Sequence, residues 1–205
     1  MVVFLVTIFA APLFAALAGL SAAKTEMLGA LFLPVLIGWS WGRDVSSGRL
    51  VPLALAGAGA TMLLFVRLAA FAITALLGVV TVALAARTSA SEMSLMTLFT
   101  AHILVLGFLL VTLFRSGDAG WVPLFVAFAG VWLPLVYAMK QTGGAVEQVW
   151  LRWLTAAFLP QFALDLRIYS VEHLQVLLAA LSLLWLALIS VAARRASALD
   201  RRSDD

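Results

Sequence analysis

The chain has 205 residues, of which 64% are hydrophobic and 11% charged. A soluble domain is roughly 45–50% apolar and about 25% charged, so a globule of this composition could not cover its surface with polar groups. Soluble enzyme, nucleic-acid binder and disordered chain are therefore excluded. The formal net charge of +3 serves topology and anionic headgroups instead.

A membrane-spanning helix needs about 20 apolar residues, and the charged residues divide the sequence into blocks near that length. Residues 2–20 form the first, in a stretch without charge up to Lys24; lacking a basic start, it is expected to be a span rather than a cleaved leader. Residues 27–41 form the second and end in Trp39-Ser40-Trp41, indoles suited to the interface. A polar break follows at 42–49, then a Gly/Ala-rich apolar stretch with Pro52, Gly57 and Gly59. The remaining spans are expected at 61–86, 95–114, 121–139 and 174–193, with Pro123 and Pro134 kinking or bounding the fifth.

Residues 140–172 differ from the rest. Trp150, Leu151, Trp153, Leu154, Ala157 and Phe158 repeat at helical spacing, while Arg152, Asp165, Arg167 and Pro160 interrupt the apolar run. This pattern predicts an interfacial or re-entrant hairpin rather than a span. The expected fold is thus an all-α polytopic membrane protein, one domain over 1–205. It has six transmembrane helices, a cytoplasmic coupling segment at 43–60, an outer segment at 140–172 and a polar tail at 194–205. The four arginines of the tail put both termini in the cytoplasm, with eight basic residues inside and five outside.

With this frame, the run Arg43-Asp44-Val45-Ser46-Ser47-Gly48-Arg49-Leu50, continuing to Arg67 at the third span, resembles the membrane subunits of type-2 ABC exporters. The likeness extends through Leu106-Gly107-Phe108 to Phe114-Arg115, the Pro-containing fifth span, and Leu159-Pro160 before the last span. It implies a permease subunit in a bacterial inner membrane, paired with a second permease copy or homologue and driven by a separate ABC ATPase. ATP and Mg would sit on that partner, with no cofactor or metal in this chain. The residues it assigns to coupling are Arg43, Asp44, Gly48, Arg49, Leu53, Leu55, Met62 and Arg67. The compact length and uncharged coupling stretch are similar to the heme-exporter B subunit of cytochrome c maturation.

Several residues invite a second interpretation. Arg43, Asp44 and Arg49 suit an ion-paired elbow or a positive-inside anchor, and Arg67 can snorkel to headgroups or pair inside the bundle. His102, mid-span, can meet a substrate, proton or metal, or hydrogen-bond across helices; Met93 and Met96 add thioethers that would suit Cu(I) or simply fill gaps. Glu172 and His173 are candidates for an outer gate, but their adjacency is not the i,i+4 spacing of a helical zinc pair. No P-loop, G-x-S-x-G or H-E-x-x-H occurs. A structural or assembly subunit, or an intramembrane enzyme, are the alternatives to transport.

Overall fold

The computed structural model describes Lys24, Met27 and residues 29–46, 60–114, 116–142 and 146–202. The expected span 2–20 and residues 47–59 of the coupling segment lie outside these. Every regular element among the described residues is helical.

Helix α1 covers Leu33–Ser46. Residues 27–41 were expected to run as one helix, but the chain turns at Leu31-Phe32. Pro34 is the physical reason: it has no N–H for the Ala30 carbonyl and disfavours helical geometry just before it. The ladder restarts with Leu36 N–H donating to the Phe32 carbonyl at 3.1 Å.

Helices α2 (Ala60–Ala86) and α3 (Ala90–Phe114) follow, joined by a three-residue turn. Arg87 ends α2 in the left-handed region at φ 53°. Its N–H reaches the Leu84 carbonyl and that of Thr88 the Ala83 carbonyl, the paired bonds of a Schellman cap. Ser89 then starts α3: its hydroxyl accepts from Glu92 N–H while the Glu92 carboxylate accepts from Ser89 N–H. This capping box starts α3 at Ala90, ahead of the apolar run that began the expected span at 95.

The chain reverses at Ser116, which caps a 3-10 helix at Gly117–Trp121. Helix α4 (Val122–Phe125), a π-helix at Val126–Trp132 and α5 (Leu133–Thr142) continue it as one rod. The π segment has a local cause. Pro134 offers no N–H to the Gly130 carbonyl and its ring crowds it, and widening the turn relieves both; Leu133 N–H donates to the Phe128 carbonyl, five residues back.

Helices α6 (Val149–Phe158) and α7 (Pro160–Asp165) form a hairpin, separated by Leu159 at φ −137°, ψ 57°. Proline again accounts for the break, because the residue before it avoids helical geometry. The legs are antiparallel. Arg152 donates to the Ile168 carbonyl at 3.4 Å and stands over Tyr169, which also meets Trp153. Arg167, at φ 54°, closes α7 with a second Schellman cap through Leu164 and Ala163. Ser170 then caps α8 (Val171–Arg202), accepting from His173 N–H.

Among the described residues, three stretches are long and apolar enough to cross a membrane: Ala90–Phe114, Gly117–Gln141 and Val171–Val191. They mark a membrane protein and match the fourth, fifth and sixth expected spans. A further apolar stretch, Val66–Thr81, lies within the 27-residue α2.

Two contacts fix the register of α3 and α8. Gln175 donates to the Ser91 carbonyl at 3.3 Å, and Trp185 to His102 at 3.2 Å. Both pairs rise together, so the helices are parallel. The α6–α7 hairpin therefore starts and ends at the Ser91 end of the bundle. Helix α3 is the pillar, packing against α1, α2, the composite rod and α8. Buried Leu174, Leu178, Ser182 and Ile189 follow one another at spacings of four, four and seven residues on α8, one helical face.

At the opposite end the backbones approach so closely that only glycine fits. A Cβ on Gly38 would lie 2.0 Å from the Gly117 carbonyl oxygen, and one on Gly120 would lie 2.1 Å from that of Pro34. Gly107 meets Pro34 just as tightly from α3. Packing of this kind suits helices in lipid, where close approach rather than water exclusion drives association. Gly130, by contrast, has only a Val126 methyl at 3.7 Å. A Gly120→Ala change should lower stability in detergent by about 1–3 kcal/mol, the usual cost of overpacking. Gly130→Ala should be neutral or stabilising, and equal thermal midpoints for the two variants would contradict this account of the α1 contact.

Candidate functional site

Polar groups are scarce within the apolar helices, and most are satisfied locally. The hydroxyls of Thr74, Thr81, Thr97, Thr112, Thr155, Ser182 and Ser190 each donate to the carbonyl four residues earlier. This bond hides a hydroxyl inside its own helix. Thr100 and His102 depart from the pattern: Thr100 Oγ1 and His102 Nε2 are buried without a hydrogen-bond partner among the described residues.

His102 stands twelve residues into α3 and is 1% exposed. The Trp185 indole can only donate, so Nδ1 accepts and the neutral ring carries its proton on Nε2. Phe158, at the end of α6, meets the imidazole edge-on with centroids 6.3 Å apart. The tip of the hairpin thus reaches the level of His102, about 18 Å from the start of α3.

Beside this tip lies a cavity of about 330 Å³ lined by Leu31, Leu124, Ala127, Phe128, Trp132, Leu159 and Phe162. The π-helix supplies Ala127, Phe128 and Trp132, and the hairpin supplies Leu159 and Phe162 across from them. Trp132 and Phe162 close one end, edge to face at 4.9 Å. No polar atom is exposed to this space. Next to Phe162 stands an ion pair, Lys24 Nζ to Asp165 Oδ2 at 2.6 Å, with the ammonium 5.4 Å from the Phe162 ring centre.

The other residues singled out from the sequence scatter. Arg43 lies exposed near the end of α1, its guanidinium 5.7 Å from the Trp39 ring centre, an arrangement suited to an interfacial anchor. Asp44 is in the last turn of α1 and Met62 in the first turn of α2. Arg67 is half-buried, seven residues into α2. Gly48, Arg49, Leu53 and Leu55 lie outside the described residues.

Glu172 and His173 are exposed on the first turn of α8, away from His102. His173 Nδ1 lies 2.7 Å from the Ser170 hydroxyl, so its geometry is that of a helix cap. Met93 and Met96 sit up α3 from His102, whose ring neighbours are Phe158 and Trp185. Among the described residues no three His, Asp or Glu side chains converge on one point.

Two elements of the site had no signal in the sequence: the Trp185 partner of His102, and the ion pair of Lys24 with Asp165. His102 itself and the hairpin break at Pro160 were foreshadowed. No known family, curated protein or solved structure matches this chain.

The His102–Trp185 bond carries its own test. Trp185→Phe strands a buried acceptor and should cost about 1–3 kcal/mol in denaturant titration of the detergent-solubilised protein. His102→Leu in the same background should recover most of that loss, because both polar partners are then gone. Strictly additive effects would mean that the hydrogen bond contributes nothing to the fold.

Proposed function

We propose that this chain is the permease subunit of an ATP-driven exporter of the type-2 ABC class, forming half of a translocation pathway beside a second permease. The observation that carries this view is the α6–α7 hairpin. It departs from the Ser91 end, reaches the middle of α3 and returns, leaving an apolar cavity between its tip and the π-helix. Irregular backbone at membrane depth occurs where it is enclosed by protein or lines a pathway. A wall of leucine, phenylalanine and tryptophan suits a hydrophobic or amphipathic substrate.

Helix α1 supports coupling to an ATPase. Gly38 meets Gly117 at the turn between α3 and the composite rod, so residues 39–46 extend past that turn by about 12 Å. They carry Arg43 and precede in sequence the stretch with Leu53 and Leu55. In this arrangement the stretch is cytoplasmic, both termini are inside, the hairpin opens outward, and the host is a bacterial inner membrane. ATP hydrolysis belongs to the partner, whose dimerisation would press on the coupling segment and shift α1 against the rod.

A structural subunit of a larger complex is the second view, favoured by the burial of His102, Thr100, Thr155 and Ser182 away from the surface. Purification from the native membrane separates the two. Co-purification of a P-loop ATPase, lost on Leu55→Asp while insertion is retained, is expected for the exporter. A Leu55→Asp variant that keeps its ATPase and its transport would overturn the coupling role.

Topology has an independent check, since the chain contains no cysteine. Single cysteines at Val146 and Ser170 should react with an impermeant maleimide from one side, and Ser116→Cys from the other. A cysteine at Phe158 should stay unreactive. Labelling of positions 146 and 170 from opposite sides would make the hairpin a span and undo the proposed pathway.

A further inference from the structure

The cavity and the ion pair beside it meet at Phe162. Its ring lines the cavity on one face and lies under the Lys24 ammonium, while Asp165 follows one turn later on α7. One end of a wholly apolar slot is thus edged by a positive and a negative group in contact. Both are reachable from outside, with side-chain exposures of 27% and 38%. The slot opens along Phe128, which is 63% exposed on the outer surface of the π-helix. For a chain in a bilayer, that surface faces acyl chains. Water has no polar partner inside such a space and does not fill it.

We propose that the slot is a site for one phospholipid whose headgroup joins a phosphate to a primary ammonium. One acyl chain enters between Phe128 and Leu159 and fills the space over Ala127. The phosphate meets Lys24 and the ammonium meets Asp165, each as a charge-assisted hydrogen bond.

Charge complementarity selects the headgroup. The protein pair is net neutral, so a net-neutral headgroup satisfies both members. A purely anionic headgroup engages Lys24 but sets its charge against Asp165. A quaternary ammonium is neutral overall but has no N–H to donate to the carboxylate. The Trp132 indole at the same end belongs to a residue type favoured at lipid headgroup level. The site follows from the cavity and the pair, and stands whether or not the chain transports anything.

The test uses the full-length protein in detergent, titrated with phospholipids of identical acyl chains bearing ethanolamine, choline or glycerol headgroups, with retained lipid counted by native mass spectrometry. One ethanolamine lipid per chain should be held about tenfold more tightly than either competitor, the worth of one charge-assisted hydrogen bond. Asp165→Asn should erase the advantage over choline, and Ala127→Trp, which fills the slot, should reduce retention of all three. The exchanged pair Lys24→Asp with Asp165→Lys keeps both charges and should keep the preference.

Equal retention of the three headgroups by the unmodified protein overturns the proposal, whatever the variants do. So does retention of none, or a dimer that covers the slot and excludes lipid.

Discussion

Hydrocarbon offers no hydrogen bonds, and nearly every irregularity in this chain answers to that constraint. A backbone carbonyl left without a donor in lipid costs several kcal/mol, so helices are favoured and each interruption must be compensated. Prolines set the interruptions. Pro34 divides a helix, Pro160 folds a hairpin and Pro134 widens a turn, each by withholding one N–H. The compensation differs with context. At Pro34 the chain turns and restarts; at Pro134 the bonds reach one residue further back, and the rod continues without a break. Most of the hydroxyls obey the same rule by bonding back into their own helices, Thr100 being an exception. His102 obeys it at Nδ1, which accepts from the Trp185 indole, while Nε2 has no partner among the described residues.

Apolar length was therefore the most legible feature of the sequence. Runs near 95–114, 121–139 and 174–193 became helices able to cross a bilayer because a helix is the only local way to satisfy so many amides. Their beginnings were less legible, since they depend on polar residues outside the apolar run. Ser89 with Glu92 and Ser116 with Asp118 each extend a helix beyond its hydrophobic part. Proline was legible as a site of trouble, but not for its outcome: Pro34 and Pro134 have the same chemistry, and one ends a helix while the other produces a π-turn. Packing partners distant in sequence left no trace. Nothing near Lys24 points to Asp165, nor anything near His102 to Trp185; those pairings exist only once the helices are assembled.

Glycine has two separate uses in the bundle. At Gly38, Gly117 and Gly120 the missing side chain lets backbones touch, and at Gly107 it admits the Pro34 ring, which together fasten α1 to the foot of the pillar. Gly130 bears no such contact and sits where the Pro134 ring would crowd its carbonyl. The two non-glycine residues in the left-handed region among the described residues, by contrast, are arginines. Both Arg87 and Arg167 sit at helix ends on the same side of the bundle as Ser91, where a long cationic side chain can reach headgroups. Glycine would relax the backbone there and lose that anchor.

The parallel pairing of α3 with α8 has a bearing on how the chain is made. Helix α3 is synthesised first, and α8 begins 57 residues after α3 ends, at 171 against 114. Until α8 arrives, the Nδ1 of His102 lacks its indole and the buried face of the pillar has no neighbour on that side. Packing around His102 is thus completed by α8, which leaves the ribosome after α3 and the hairpin, and a nascent chain stopped before it presents an unfinished polar surface to lipid. Such a surface is what membrane quality-control machinery can recognise.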